Sequence, residues 1–191
     1  MKDDLEVTKM KRIVLIGIGV LAVTASAFTQ APDPTIEKAL AAVPANMREA
    51  ATVVKWKADF TYDTLKKGTN RVVCYDQSGE PGEQPYSVVC TSIANLDRVA
   101  QNRKFETNQD RAARQKALDE AEANGTRVKP EYGSFFRTLS GPDAEHARMH
   151  MTIAMPGATT ASTGFPDNNK QGGAWIMNAG TSTAHLMTPG S

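Results

Sequence analysis

The chain has 191 residues, 40% of them hydrophobic and 23% charged, which suits one domain with a proper core and excludes collagen-like, coiled-coil or wholly disordered architectures. Its 22 Lys and Arg face 21 Asp and Glu, a formal net charge of +1, so no global field draws it to nucleic acid or to an anionic membrane.

At the N-terminus, Lys11 and Arg12 precede an apolar run over residues 13–23 that leads to Ala25-Ser26-Ala27. A basic start, a short apolar stretch and an Ala-x-Ala ending form the layout of a secretory signal peptide over residues 1–27, with cleavage expected after Ala27. The run is about half of the roughly 20 apolar residues a bilayer span requires, so a retained anchor is the weaker alternative. Asp3, Asp4 and Glu6 spoil the basic region ahead of Met10, whereas Met10-Lys11-Arg12 makes a good one, and Met10 is an alternative start. Cleavage takes four basic and three acidic residues from the 22 and 21, leaving 18 of each sign on 164 residues. The expected product is a neutral, exported protein, periplasmic or extracellular. It has no stable membrane anchor after cleavage and no nucleic-acid partner.

Residues 28–51 read as a tether with short helices, because Asp33-Pro34 supplies a cap and a first-turn proline and Pro44 a stop. Residues 52–191 form the expected domain. Val54, Trp56, Ala58, Phe60 and Tyr62 alternate with Lys55, Lys57, Asp59, Thr61 and Asp63, which predicts one half-buried strand with its aromatics inward. Residues 66–70 read as a turn, and 71–76 as the returning strand. Cys74 and Cys90 lie eight residues either side of Gly82 in a loop rich in Gly and Pro. A symmetric hairpin sets them opposite each other, where Cα atoms about 4.5 to 5.5 Å apart suit a disulfide, and an oxidising compartment preserves it.

Residues 93–124 turn helical and highly charged, with Asn108 as a cap and Asn124-Gly125 as a stop. The apolar stripe Ala112, Ala113, Ala117, Leu118 and Ala121 is narrow, which predicts a helix on the domain surface. Arg111, Arg114 and Lys116 are offset by Asp119, Glu120 and Glu122, so they form a solvated face. The last third returns to strands at 132–139, 148–155, 174–178 and 184–188, with a polar loop over 157–173. The sum is an α+β single domain: an antiparallel sheet of about six or seven strands with helices packed on one face.

Four pieces coincide in order and spacing with one group of proteins: Leu65-Lys66-Lys67-Gly68-Thr69-Asn70 leading to Cys74, His150 with Pro156, Gly172-Gly173-Ala174-Trp175-Ile176-Met177, and Gly180-Thr181 leading to Ala184-His185-Leu186-Met187. On these the chain resembles a group of small uncharacterised exported bacterial proteins. It departs from that pattern in having no aromatic residue between Asn70 and Cys74 and in its longer charged helix. The resemblance implies an exported single domain, offers no catalytic assignment, and singles out His150 and His185.

All three histidines, His146, His150 and His185, fall in the last third beside Met149, Met151, Met155, Met177 and Met187. Imidazole with thioether is a ligand set that favours copper, with zinc as the other candidate. On one strand His146 and His150 would stand about 13 Å apart, too far to share an ion, whereas a helix opened by residues 141–145 would bring them onto one face. The remaining metal set is His150, His185 and Met187 on neighbouring strands. The plainer reading makes Met149, Met151 and Met155 core with Ile153. It makes Trp175 and Met177 core too, and sets His185 at the edge of that core near His150. His150, His185 and Trp175 are then the candidate ligand-binding residues. Ser162 and Ser182 lack a nucleophile elbow, Asp59 and Asp63 lie outward on a strand, and no cofactor motif is present. The expected function is an exported soluble protein that binds or assists without catalysis. The alternatives are a His/Met binder of copper or zinc and an enzyme with a site assembled around His150 and His185.

Overall fold

The computed structural model describes residues 33–188. The signal peptide and the alternative start at Met10 lie outside the described residues.

Asp33 accepts a hydrogen bond from the Thr35 backbone N–H at 2.8 Å, and Pro34 occupies the first turn, so the chain opens directly into α1 (Pro34–Ala39). A 3-10 turn (Leu40–Ala42) and α2 (Ala45–Arg48) follow. Leu40, Ala42 and Val43 bury against Val53, Val72, Cys74, Val88 and Cys90 on one face of the sheet.

The sheet comprises β1 (Thr52–Trp56), β2 (Tyr62–Lys66), β3 (Val72–Asp76), β4 (Tyr86–Ser92), β5 (Phe135–Gly141), β6 (Arg148–Ala154), β7 (Trp175–Met177) and β8 (His185–Met187). Their order across it is β2-β1-β3-β4-β5-β6-β8-β7. The α+β class holds. The sheet has eight strands rather than six or seven, and it is mixed, because β1 and β3 pair in parallel.

The expected long strand through Tyr62 folds back on itself. Asp59 Oδ1 accepts from the Thr61 N–H at 3.0 Å and from its hydroxyl at 2.6 Å, and Phe60 takes a left-handed φ of 66°. This Asx turn makes β1 and β2 a hairpin. The alternation survives because Trp56 and Tyr62 sit opposite each other, ring centroids 5.4 Å apart. From β2 the chain crosses the start of β1, where a Cβ on Gly68 would lie 2.2 Å from the Ala50 carbonyl oxygen, so the crossing requires glycine. Thr69 and Asn70 both donate to that carbonyl, at 2.8 and 3.0 Å. The crossing delivers β3 to the far side of β1, parallel to it, rather than returning it antiparallel. The β3–β4 hairpin places Cys74 opposite Cys90, Cα atoms 4.1 Å apart, as a disulfide.

Helices cover both faces rather than one. In β3, Val72 to Tyr75 are all buried, a continuous run that demands cover on both sides. The second cover is α3 (Leu96–Glu106), whose Leu96 and Val99 pack on Val54, Trp56, Val73, Tyr75 and Val89. Asn95 ties it down: its amide donates to Thr91 Oγ1 at 2.8 Å and Ser134 Oγ at 2.9 Å, and its oxygen accepts from the Glu131 N–H at 2.7 Å. The next helix, α4 (Arg111–Ala123), is capped by Asp110 and not by Asn108, since Asp110 accepts from the N–H groups of Ala112 and Ala113. It buries only Ala121, as its narrow stripe predicts.

In the C-terminal third, Met149, Met151 and Ile153 share one face of β6, and Met149 packs against the α1-side core. The short hairpin at the sheet's end inverts the expected core. Trp175 pairs with Met187 and Met177 with His185, so these four side chains share a face, but Met177 is 45% exposed and Trp175 half-buried. The core residue is Ile176, fully buried against Ala158, Ala184, Leu186 and Met155. The segment around α5 (Thr160–Thr163) decides this, because Ala158 packs on the Ile176 face and Pro166 O accepts the Ile176 N–H at 2.8 Å.

Candidate functional site: a cleft beneath the third helix

On the α3 side of the sheet, Tyr75, Val89, Thr138 and His150 stand opposite one another in successive strands, forming one transverse row. Above it, Val99, Asn102, Arg103 and Glu106 recur at the three- and four-residue spacing that puts them on one helix face. Between helix and sheet lies a cleft of about 560 Å³. Trp56, Tyr75, Val89 and Phe136 make its floor, and Glu80 and Glu83 from the β3–β4 loop close one side.

Arg103 organises this space. Its guanidinium lies 5.0 Å from the Trp56 ring centroid and 5.9 Å from that of Tyr75, and it is ion-paired with Glu80. The pairing clamps the β3–β4 loop to α3 while the rings hold the guanidinium flat. Glu83 accepts from the Ser87 hydroxyl at 3.1 Å, yet burial pushes its carboxyl above the usual range, and neighbouring Glu80 and Glu106 add to the rise. Burial likewise pushes the Tyr75 phenol well up.

Two aromatic residues of the floor carry unspent hydrogen-bonding groups. Tyr75 is 3% exposed, and its hydroxyl makes no hydrogen bond among the described residues. Trp56 Nε1 is the one fully buried side-chain nitrogen or oxygen there without a partner. A buried Trp normally satisfies its indole N–H, so Trp56 is the exception on this wall, while the Tyr75 hydroxyl is not among the fully buried unpartnered atoms.

Asn102 and Phe136 also line a second, smaller lobe of about 210 Å³, shared with Arg98, Pro130, Thr152, Thr183 and His185. His185 Nδ1 lies 2.7 Å from the Thr183 carbonyl oxygen. A carbonyl only accepts, so Nδ1 carries a proton and donates to it. A backbone carbonyl, not a carboxylate, therefore orients this ring.

Of the residues that the sequence singles out, His185 alone lines a lobe of the cleft. His150 shares its face of the sheet, but His185 pairs with Ala154, four residues further along β6. At about 3.3 Å per residue, some 13 Å separates the two positions, too far to share an ion. Met187 stands two residues beyond His185, opposite Trp175, and neither lines the cleft. His146 lies in an exposed turn, paired with Asp143 at 2.7 Å. No group of three or more His, Cys, Asp or Glu side chains is placed to hold a metal among the described residues.

Sequence reasoning passes over Arg98, Arg103, Glu80 and Tyr75. The signal for α3 was present in the spacing of Val99, Asn102, Arg103 and Glu106, but three of these four are polar, and a search for apolar stripes discards them.

Comparison with known proteins yields no match: no family model, no curated protein and no solved structure is significantly similar to the chain.

Proposed function

We propose that the chain is a non-catalytic binding protein of an oxidising compartment outside the cytoplasm, and that its ligand is a small molecule held in the cleft beneath α3. One observation carries the reading: an aromatic-floored cleft of about 560 Å³ whose Trp56 keeps a buried indole N–H without a partner among the described residues. Apolar clefts with a few convergent polar groups are the usual form of small-molecule sites. The charged groups at its mouth are engaged with each other, Arg103 with Glu80 and Glu83 with Ser87, which suits holding a ligand more than transferring a proton. Export is supported by the Lys11-Arg12 start, the short apolar run and Ala25-Ser26-Ala27, by the resemblance to small exported bacterial proteins, and by the Cys74–Cys90 bridge.

The test is a thermal-shift screen of the purified chain against a library of small aromatic and polyhydroxylated compounds, repeated on Thr138→Trp. Thr138 faces the cleft from β5, and an indole there fills it. Hits should raise the Tm of the natural chain and leave the folded variant unmoved. Equal stabilisation of both proteins would place binding elsewhere.

A further inference from the structure

We propose that the smaller lobe is an oxyanion site, in which Arg98, the Asn102 amide and the Thr152 hydroxyl grip a carboxylate or phosphoryl group of the ligand beside His185. The inference rests on the binding reading above and deepens it by naming the charged group of the ligand.

Arg98 is 5% exposed, yet no carboxylate pairs with it. Its Nη1 donates to the Val128 carbonyl and, at 3.4 Å, to the Ser182 hydroxyl. Its Nε and Nη2 have no hydrogen-bond partner among the described residues. Those two nitrogens form one edge of the guanidinium, the edge whose parallel N–H groups match two oxygens of a carboxylate or phosphate. Neither nitrogen is among the fully buried unpartnered atoms, so the edge is accessible in an otherwise buried guanidinium, and an anion entering the lobe can meet it.

The surrounding charges do not supply that anion. Arg127 is also buried, and its nitrogens are committed to Gln101 Oε1 at 2.6 Å and Asn102 Oδ1 at 2.5 Å. Glu122, whose charge bears on both arginines, accepts instead from the Ser182 N–H at 2.6 Å and its hydroxyl at 2.5 Å. Burial and the proximity of Arg127 lower the Arg98 pKa to about 10, the direction expected of a cation short of counter-charge.

The polar part of the lobe's lining fits an oxyanion, beside apolar Pro130, Phe136, Ala154 and Ala184. Because Arg127 holds the Asn102 oxygen, the amide nitrogen is left over as a donor. Thr152 adds a hydroxyl, and no acidic residue is among the lining side chains. Since Asn102 and Phe136 belong to both lobes, a ligand anchored here by its acidic group extends its body onto the aromatic floor.

Calorimetric titration of the purified full chain with sodium phosphate and, separately, sodium acetate, at ionic strength held constant with chloride, tests this. At least one ion should bind with 1:1 stoichiometry: phosphate alone assigns a phosphoryl group, acetate alone a carboxylate, and both the shared chemistry. Arg98→Gln should abolish binding. Asn102→Asp guards against a folding failure in that variant, because it keeps the Arg127 contact while replacing donors by negative charge. It should weaken binding roughly tenfold to a hundredfold, the worth of a hydrogen bond to a charged group. Thr138→Trp, which fills only the larger lobe, should bind the ion as the natural chain does. The oxyanion site is refuted if neither ion binds at millimolar concentration, or if Asn102→Asp binds it undiminished. Library hits lost in Thr138→Trp alongside a silent ion titration would keep the binding reading and remove this one.

Discussion

The two faces of the sheet are built to different ends. On the α1 side, Val53, Val72, Val88 and the Cys74–Cys90 bridge meet Ala39, Leu40, Ala42 and Val43 in a closed apolar layer. On the α3 side, the strands are equally buried near β3, but the covering helix also presents polar residues, Arg98, Asn102 and Arg103, and leaves two lobes beneath it that share Asn102 and Phe136. One face is filled and cross-linked, and the other is held open by hydrogen bonds. With the cleft as the proposed binding site, stability and recognition lie on opposite sides of the same strands, so each can be perturbed alone.

The largest expected effect comes from the filled face. Replacing Cys74 and Cys90 together by Ser removes a bridge across a loop of about 15 residues and should lower stability by about 3 to 5 kcal/mol, read by denaturant unfolding, with ligand affinity in the folded fraction unchanged. A loss of affinity at constant fold would break the separation. On the open face, Asn95→Ala leaves the Glu131 N–H, the Thr91 hydroxyl and the Ser134 hydroxyl without their buried partner. It should cost about 3 kcal/mol, and hydrogen exchange should rise in α3 while β3 and the disulfide region stay protected.

The terminal hairpin sharpens the comparison at its edge. Ile176→Ala opens a cavity among Ala158, Ala184 and Leu186 and should cost about 2 to 4 kcal/mol. Trp175→Ala, on the wetter face, should cost about 1 kcal/mol, and a reversed ranking by thermal unfolding would return Trp175 to the core. The smallest effect is electrostatic. The Ser182 hydroxyl and N–H donate to Glu122, with Arg98 and Arg127 adding attraction, so its folded carboxyl titrates below its ordinary 4.5. A carboxyl lowered in the folded state contributes stability that is full above that ordinary value and fades as pH falls through the lowered one. Glu122→Gln should therefore lower stability slightly at neutral pH, where the natural chain has the full contribution, and leave stability below the lowered value nearly untouched, so that the acid limb of the stability–pH curve flattens.

How much of this was legible in the sequence follows from which signals are local. The Cys74–Cys90 pairing was readable because symmetry about Gly82 is a property of one hairpin. The strands of the last third were readable from alternation, and α1 from its Asp33-Pro34 start. The fold-back at Asp59 to Thr61 was not, since a polar Asx turn keeps the period of two on either side of it. Nor was the parallel β1–β3 pairing, which depends on Gly68 passing over Ala50 and leaves no periodic trace. At the cleft, His185 stood out because histidine is rare in this chain. Arg98 and Arg103 did not, because an arginine in a charged helix looks solvated until the helix is docked. The inversion at Trp175 and Ile176 shows the same limit, as alternation fixes which residues share a face but not which face is covered.

The central claim, that ligands enter between α3 and the sheet, is tested most directly by nuclear magnetic resonance with nitrogen-labelled protein and a compound that raises the Tm. The chain has only two tryptophans, Trp56 in the cleft floor and Trp175 outside it, so their indole N–H signals report the two places separately. The Trp56 indole and the backbone amides of α3 should shift on titration, with Trp175 and α1 unmoved. Shifts at Trp175 or along α1, with Trp56 and α3 silent, would contradict the account.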